Sequence, residues 1–245
     1  MKARYWYVIL TYVLMQLSGV LGFPLLMKLG VGDGLKATDA ENLIIAYWTI
    51  ISFVAALPIV LYLLRQDMKE RRQNPKRSTK WEAFGWAIAG VFMAFAAQII
   101  AANIEIHLFG IEAGSENTQN IMALVKSVPF LIIVVSVIGP ILEEIVFRQI
   151  IFGALYKRFN FFIAGLLSSL VFAVVHMDFS HILLYTAMGF TFAFLYVHTK
   201  RIIVPICAHV AMNTFVVVMQ TIFADDIERI LKETENLRQT FIGGF

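Results

Sequence analysis

Apolar residues in this chain neither alternate nor form narrow stripes. They come in continuous runs near the ~20-residue length that crosses a hydrocarbon core, separated by short polar segments. The first run is Tyr5–Leu26. Lys2 and Arg4 precede it, and Tyr5, Trp6 and Tyr7 open it as an interfacial aromatic belt. The run is long and aromatic and lacks an A-x-A-like cleavage site, so it reads as a retained helix and not as a signal peptide. Leu43–Leu64 is the second run, with a kink expected at Pro58. The most basic segment, Arg65–Lys80, follows. It is assigned to the cytoplasmic side by the positive-inside rule, with a contact to anionic lipid as a secondary reading. Trp81–Ala101 is the third run. Asn103–Glu116 carries Glu105, Glu112 and Glu116 without Lys or Arg, which suits the opposite face.

Ile121–Tyr156 is too long for one span: at ~1.5 Å per residue it would reach roughly 50 Å against a ~30 Å core. Gly139-Pro140 is its expected break, either a kink in one helix or the meeting point of two short ones. Phe161–Met177, Ile182–His198 and Ile202–Phe223 complete the set. The pattern predicts an all-α, polytopic transmembrane helix bundle of seven or eight spans. Cytoplasmic turns at Lys157-Arg158 and Lys200-Arg201 favour seven. The charged tail Ala224–Phe245 places Ile227, Ile230, Leu231 and Leu237 for a helix lying on the membrane surface. No repeat or linker divides the chain, so residues 1–245 read as one integral membrane domain with a chemical core over about 121–223.

Composition supports this class. The chain is 59% hydrophobic and 15% charged, far from soluble averages, and continuous runs disfavour a β-barrel. A net charge of +3 does not point to nucleic acid, because the basic residues sit in the short loops where topology requires them. Cys207 is the only cysteine, so no intrachain disulfide can form. It reads as a small buried apolar residue.

The chemistry lies in the exceptions to the apolar pattern. Ile141–Gln149 reads I-L-E-E-I-V-F-R-Q, with Glu143, Glu144 and Arg148 inside the longest run. Each charge at the bilayer centre costs roughly 2.5–3.5 kcal/mol on insertion scales. Glu144 shares a helix face with Arg148 four residues on, whereas Glu143 points about 100° away with no cation at helical spacing. One carboxylate is then structural and the other available. His176 ends the run F-A-V-V-H, and His209 and Asn213 stand one turn apart in H-V-A-M-N. Measured from the basic turns, Glu143 and His176 lie roughly 20–27 Å up their helices and His209 and Asn213 roughly 12–18 Å up theirs, a loose match that allows one shared cavity. Singly, each group has a bland reading: an ion pair, a carbonyl-satisfied histidine, an interfacial histidine. Together the insertion costs argue for a site. The set could activate water, ligate a metal or relay protons. His107, His181 and His198 stand at span ends and read as interfacial.

The three motifs Glu143-Glu144-x-x-x-Arg148, Phe172-x-x-x-His176 and His209-x-x-x-Asn213, in this order on successive apolar helices, resemble those of the CPBP family. That family comprises CAAX prenyl proteases and bacteriocin-processing, Abi-type membrane proteases. Pro140 and the Gly189 stretch fit the same pattern. The resemblance covers about Ile132–Phe215. Gln149 departs from it, standing where many members have glycine, and the first ~120 residues carry no motif of the family. The resemblance implies an intramembrane endopeptidase acting on a peptide or protein substrate at the bilayer, in a bacterial cell membrane. Carried over, Glu143 would activate water with help from His176. His209 and Asn213 would stabilise the oxyanion, and Glu144 and Arg148 would shape the site. A carboxylate in a low-dielectric cavity is a better base, and preorganised donors supply a large catalytic term. A zinc ion on Glu143, His176 and His209 is the metallo variant. No H-E-x-x-H helix is present, and the glutamic variant without metal is preferred. The rival readings are a non-enzymatic scaffold or immunity-type protein of the same fold and a proton-coupled transporter. No inverted repeat supports the transporter.

Overall fold

The computed structural model describes residues 1–223 and, beyond them, only Asp226, Arg229 and Glu233. The surface helix expected within Ala224–Phe245 lies outside the described residues. The described chain is helical throughout, with no strand. Four helices are long and apolar enough to cross a membrane, or five if one bent pair counts as a single span. The seven or eight spans expected from the sequence are therefore not reached on length and composition. The remaining apolar helices are short or interrupted.

The first run is the bent pair. α1 (Ala3–Leu17) and α2 (Gly19–Lys28) meet at 43° around Ser18. Pro24 within α2 has no N–H to offer Val20 and crowds its carbonyl. Gly22 lets the α2 backbone touch the indole of Trp48, where any Cβ would overlap the ring. The Trp48 Nε1–H donates to the Ser18 hydroxyl at 2.9 Å, fixing the bend. α3 (Ala37–Arg72) is 36 residues, roughly 54 Å at ~1.5 Å per residue, and passes through Pro58 without ending. Much of Arg65–Lys80 is thus helix projecting beyond the apolar zone. There Lys2 binds Asp67 (2.8 Å) and Glu70 (2.6 Å), and Arg4 pairs with both carboxylates. The Asp67 and Glu70 carboxylates hold the Lys2 ammonium above its ordinary pKa.

α4 (Lys80–Phe109) begins with a reciprocal cap between Thr79 and Glu82 and ends at Gly110, whose φ of 67° only glycine adopts freely. It runs well into the segment expected as an acidic loop. α5 (Glu116–Ser127) is capped by Ser115. The break in the long run then falls at Val128-Pro129, not at Gly139-Pro140. Val128 is extended (φ −139°, ψ 91°), as a residue before proline prefers.

From there one helix, α6, covers residues 131–155. It alternates α stretches with two π-helical ones, Val134–Ile138 and Glu144–Phe152. Asn160 caps α7 (Phe161–Val175). A 3-10 turn at Phe179–His181 leads into α8 (Ile182–Thr199), and α9 (Ile203–Ile222) closes the described bundle.

Two apolar clusters set the site. Tyr5, Val8 and Tyr12 of α1 and Ala56, Val60 and Leu64 of α3 pack on Leu142, Ile145 and Phe147 of α6 and Phe172 of α7. Ala94 of α4, Phe192 of α8, and Ala208 and Met212 of α9 form the second. Helices approach closely where glycine allows: a Cβ on Gly90 would lie 2.5 Å from Leu195, and one on Gly189 2.8 Å from Ser169.

The basic turns gather at one end of the bundle. Ser78 N–H donates to the Thr199 carbonyl (3.1 Å), Arg201 Nε donates to the Ser78 carbonyl (2.7 Å), and Arg71 donates to the Tyr196 hydroxyl. The opposite end collects Glu105, Ser115, Asp178 and His181.

Candidate active site

Glu143 ends the α stretch Gly139–Glu143 and Glu144 opens the second π stretch. Bonding to the fifth residue winds a chain more slowly than α bonding, so the two side chains diverge less than on a regular helix. Both reach one imidazole on α9. His209 Nδ1 lies 3.0 Å from Glu144 Oε1, and its Nε2 lies 3.8 Å from Glu143 Oε2. Glu143 therefore has a histidine partner from another helix, which spacing along its own helix could not reveal. Glu144 is fully buried, while the Glu143 side chain keeps 17% exposure. The bare Gly139 faces Glu143 Oε1, which a Cβ there would meet at 3.8 Å.

His209 is 2% exposed and stacks on Phe192 at 4.7 Å between ring centres. With Glu144 as acceptor, Nδ1 carries a hydrogen, and Nε2 is the nitrogen turned to Glu143.

Arg148 is wholly buried. Its Nε is 3.3 Å from Glu144 Oε2, yet none of its three guanidinium nitrogens makes a well-directed hydrogen bond. It lies instead over aromatic faces, 4.2 Å from the Phe172 ring centre and 5.5 Å from that of Phe192. The expected Glu144–Arg148 pair is present, but Glu144's directed bond goes to His209.

His176 caps the C-terminus of α7, followed by Met177 in the left-handed region (φ 55°). Its Nδ1 lies 2.8 Å from the Phe172 carbonyl, which can only accept, so Nδ1 is protonated and, in the neutral ring, Nε2 is a free acceptor. The ring stacks on Tyr185 at 4.3 Å and sits within electrostatic reach of Glu143, His209 and Arg148. Asn213 Nδ2 donates to the Val135 carbonyl at 3.4 Å, leaving its second N–H. The structure thus joins Glu143, Glu144, Arg148 and His209 directly. His176 stands beside them, and Asn213 bonds the first π stretch of the same helix.

A zinc site does not assemble from these donors. Among the described residues no three His, Cys, Asp or Glu side chains come together as a metal-holding group. His209, one member of the set, directs its two nitrogens to two different carboxylates.

Sequence reasoning missed several neighbours. Tyr12 of α1 is buried, packs edge-on against Phe147 at 5.8 Å and feels the charges of Glu143 and Arg148. Its signal was the helical spacing Tyr5, Val8, Tyr12, Met15, of which the sequence reading used only Tyr5, as part of an interfacial belt with Trp6 and Tyr7. Tyr185 accepts from Asn117 Nδ2 (3.2 Å) and lies 3.3 Å from the Ser115 hydroxyl, which donates to Asp178 (2.7 Å). His181, expected at the interface, is buried. Its Nδ1 meets Glu105 Oε2 (2.9 Å) and its Nε2 the Gly114 carbonyl (2.8 Å). Both partners accept, so both ring nitrogens carry hydrogens and the imidazolium neutralises the buried Glu105. Nothing in the sequence linked residues so far apart. His107 and His198 are exposed. Cys207, expected to be buried, is exposed on α9 and is no part of the site.

A family model described as type II CAAX prenyl endopeptidase Rce1-like matches residues 125–215, which include all three motifs. YdiL of Bacillus subtilis, named provisionally as a membrane peptidase, is 51% identical over 246 residues, covering 100% of this chain and 99% of its own length. MroQ of Staphylococcus aureus, named a membrane-embedded CAAX protease, is 31% identical over 247 residues, covering 98% of this chain and 99% of its own. YxdF of Lactococcus lactis is 34% identical over 83 residues, covering 34% of this chain and 45% of its own. No solved structure gives a significant match.

Proposed function

The chain belongs to the CPBP family of CAAX-type membrane proteases, and from that premise we propose that it hydrolyses peptide bonds with a water activated by Glu143. Its relatives are bacterial membrane proteins, and its apolar helices make it a multi-pass protein of the bacterial membrane. The observation that carries the proposal is the single imidazole of His209 set between two adjacent carboxylates, with the open nitrogen of His176 beside them.

In this reading Glu143 takes a proton from water, and the hydroxide attacks the scissile carbonyl carbon. His176, tied through Nδ1 to the Phe172 carbonyl, accepts the water's other hydrogen at Nε2 and so aims its lone pair. Glu144 holds the His209 imidazole through Nδ1. When Nε2 also carries a hydrogen, that N–H and the second N–H of Asn213 are the two donors available to the developing oxyanion. The proton on Glu143 then passes to the leaving amine, which restores the base. The substrate is a peptide or protein segment presented at the membrane. The CAAX in the family's name does not identify it.

Glu143→Gln keeps shape and removes the base. It should lower single-turnover cleavage in proteoliposomes by about 10²–10⁴-fold, the usual worth of general base catalysis, with thermal stability near that of the parent. Full activity of this variant on a verified substrate would sink the mechanism.

A further inference from the structure

At the basic end, far from the carboxylates in function, lies a cavity of about 690 Å³. This falls within the roughly 300–1,000 Å³ typical of small-molecule sites. Arg71, Lys157, Arg158 and Lys200 line it, and among the described residues no acidic side chain does. Asp67 and Glu70, acids of this same end, are already met by Lys2 and Arg4. Aromatic side chains line it as well: Trp6, Phe152, Tyr156 and Tyr196, the last bonded through its hydroxyl to Arg71. Gln149 also lines it. This side chain is 3% exposed, and its Nε2 has no hydrogen-bond partner. The amide nitrogen itself is covered, so a small shift of the side chain brings its unanswered N–H to an acceptor in the cavity. Lys200 lines the cavity from the C-terminus of α8. It holds φ at 54°, a helix C-terminal conformation usually taken by glycine or asparagine.

We infer that this cavity binds the phosphate-bearing headgroup of an anionic phospholipid. Lys157, Arg158 and Lys200 would face the phosphate, the Gln149 amide would donate to a headgroup or ester oxygen, and the chains would run along the exposed rings of Trp6 and Tyr156. The basic end belongs by charge to the cytoplasmic leaflet, where anionic lipids attract cations at about 1 kcal/mol, or about fivefold in affinity, per side chain. The aromatic wall favours a lipid over free phosphate, which shares the anionic chemistry and has nothing to place there. Because Gln149 follows Arg148 within the π stretch Glu144–Phe152, the lipid would touch the helix that carries the carboxylates.

The test uses the full chain, purified in detergent and delipidated, with binding read by native mass spectrometry and by thermal shift. Dioleoyl-phosphatidylglycerol, dioleoyl-phosphatidylcholine and inorganic phosphate are the three probes. The expected result is retention and stabilisation by phosphatidylglycerol, at least tenfold weaker binding of phosphatidylcholine, and no shift with phosphate at the same concentration. Lys200→Gly relieves the left-handed backbone while deleting one charge, so it should fold normally and weaken phosphatidylglycerol about fivefold. Lys200→Gly with Arg158→Ala should weaken it about 25-fold, and Gln149→Leu should weaken it without altering net charge. Equal binding of the two lipids, an equal shift with free phosphate, or undiminished retention by the folded double variant would each overturn the inference.

Discussion

Glu144 and Arg148 stand one turn apart in sequence and touch in the structure, but what holds each of them is different. Glu144 is the acceptor for His209, while Arg148 rests on aromatic faces without a directed hydrogen bond. Glu144→Gln should therefore harm two groups together: the imidazole loses its orienting charge, and the guanidinium is left buried without a counter-ion. By analogy with broken buried pairs the cost is about 3–5 kcal/mol. Thermal unfolding of Glu144→Gln beside Glu143→Gln checks this, and equal stability of the two variants would contradict it. Adding Arg148→Gln to Glu144→Gln should recover part of the loss. Arg148→Lys should not behave as a conservative change, because an ammonium lacks the flat face that stacks on Phe172. The residues at the centre were legible in the sequence because charge inside an apolar run is costly and therefore conspicuous. Their partners were not: Tyr12, Tyr185 and the Glu105–His181 pair are joined across helices, and no local period reports such contacts.

The distorted helix α6 explains why its break was misplaced. Val128-Pro129 interrupts the run because the residue before proline leaves helical geometry. Gly139-Pro140 does not, because the π stretch Val134–Ile138 just before it widens the turn into which the proline ring would otherwise clash. Pro140 brings no N–H, and five residues back along a π register stands Val135, whose carbonyl takes the Asn213 amide instead. Asn213 thus fills the place of a missing backbone donor while keeping one N–H for chemistry. If so, restoring the backbone donor should make Asn213 less needed for stability. Asn213→Ala should cost about 1 kcal/mol in the parent, the usual worth of one hydrogen bond, and measurably less in a Pro140→Ala background, while activity stays low in both. A double-mutant cycle on unfolding free energies decides it, and strict additivity of the two changes would refute the coupling. Run length revealed that the segment could not be one plain span. Winding number leaves no trace in hydropathy, so the π stretches and the way they turn Glu143 and Glu144 to one imidazole were hidden.

Across the whole bundle, charge sorts the ends. Lys2, Arg4, Arg71, Lys157, Arg158 and Lys200 share one, as the positive-inside rule requires of turns on one side. A cysteine at Lys76, exposed in the turn between α3 and α4, should resist membrane-impermeant thiol reagents in intact cells and react after permeabilisation, once Cys207 has been replaced by alanine. Rapid labelling in intact cells would reverse the orientation. Ser78 is a poorer reporter, because its backbone is tied to Thr199 and Arg201. The all-α class was legible from run length, and charge picked out the basic turns that the structure gathers at one end. The first ~120 residues stayed mute because they carry no motif, yet α1 and α3 wall the site through Tyr12, Phe53 and their cluster on α6. Having all three motifs is then not the same as having the site. Residues 121–245 expressed alone should be inactive, whereas two separately made chains, 1–33 and 34–245, divided within the glycine turn that joins α2 to α3, should find each other in the bilayer and regain cleavage. The salt links of Lys2 and Arg4 to α3 and the fit of Tyr12 against Phe147 would act between those chains as an intermolecular lock.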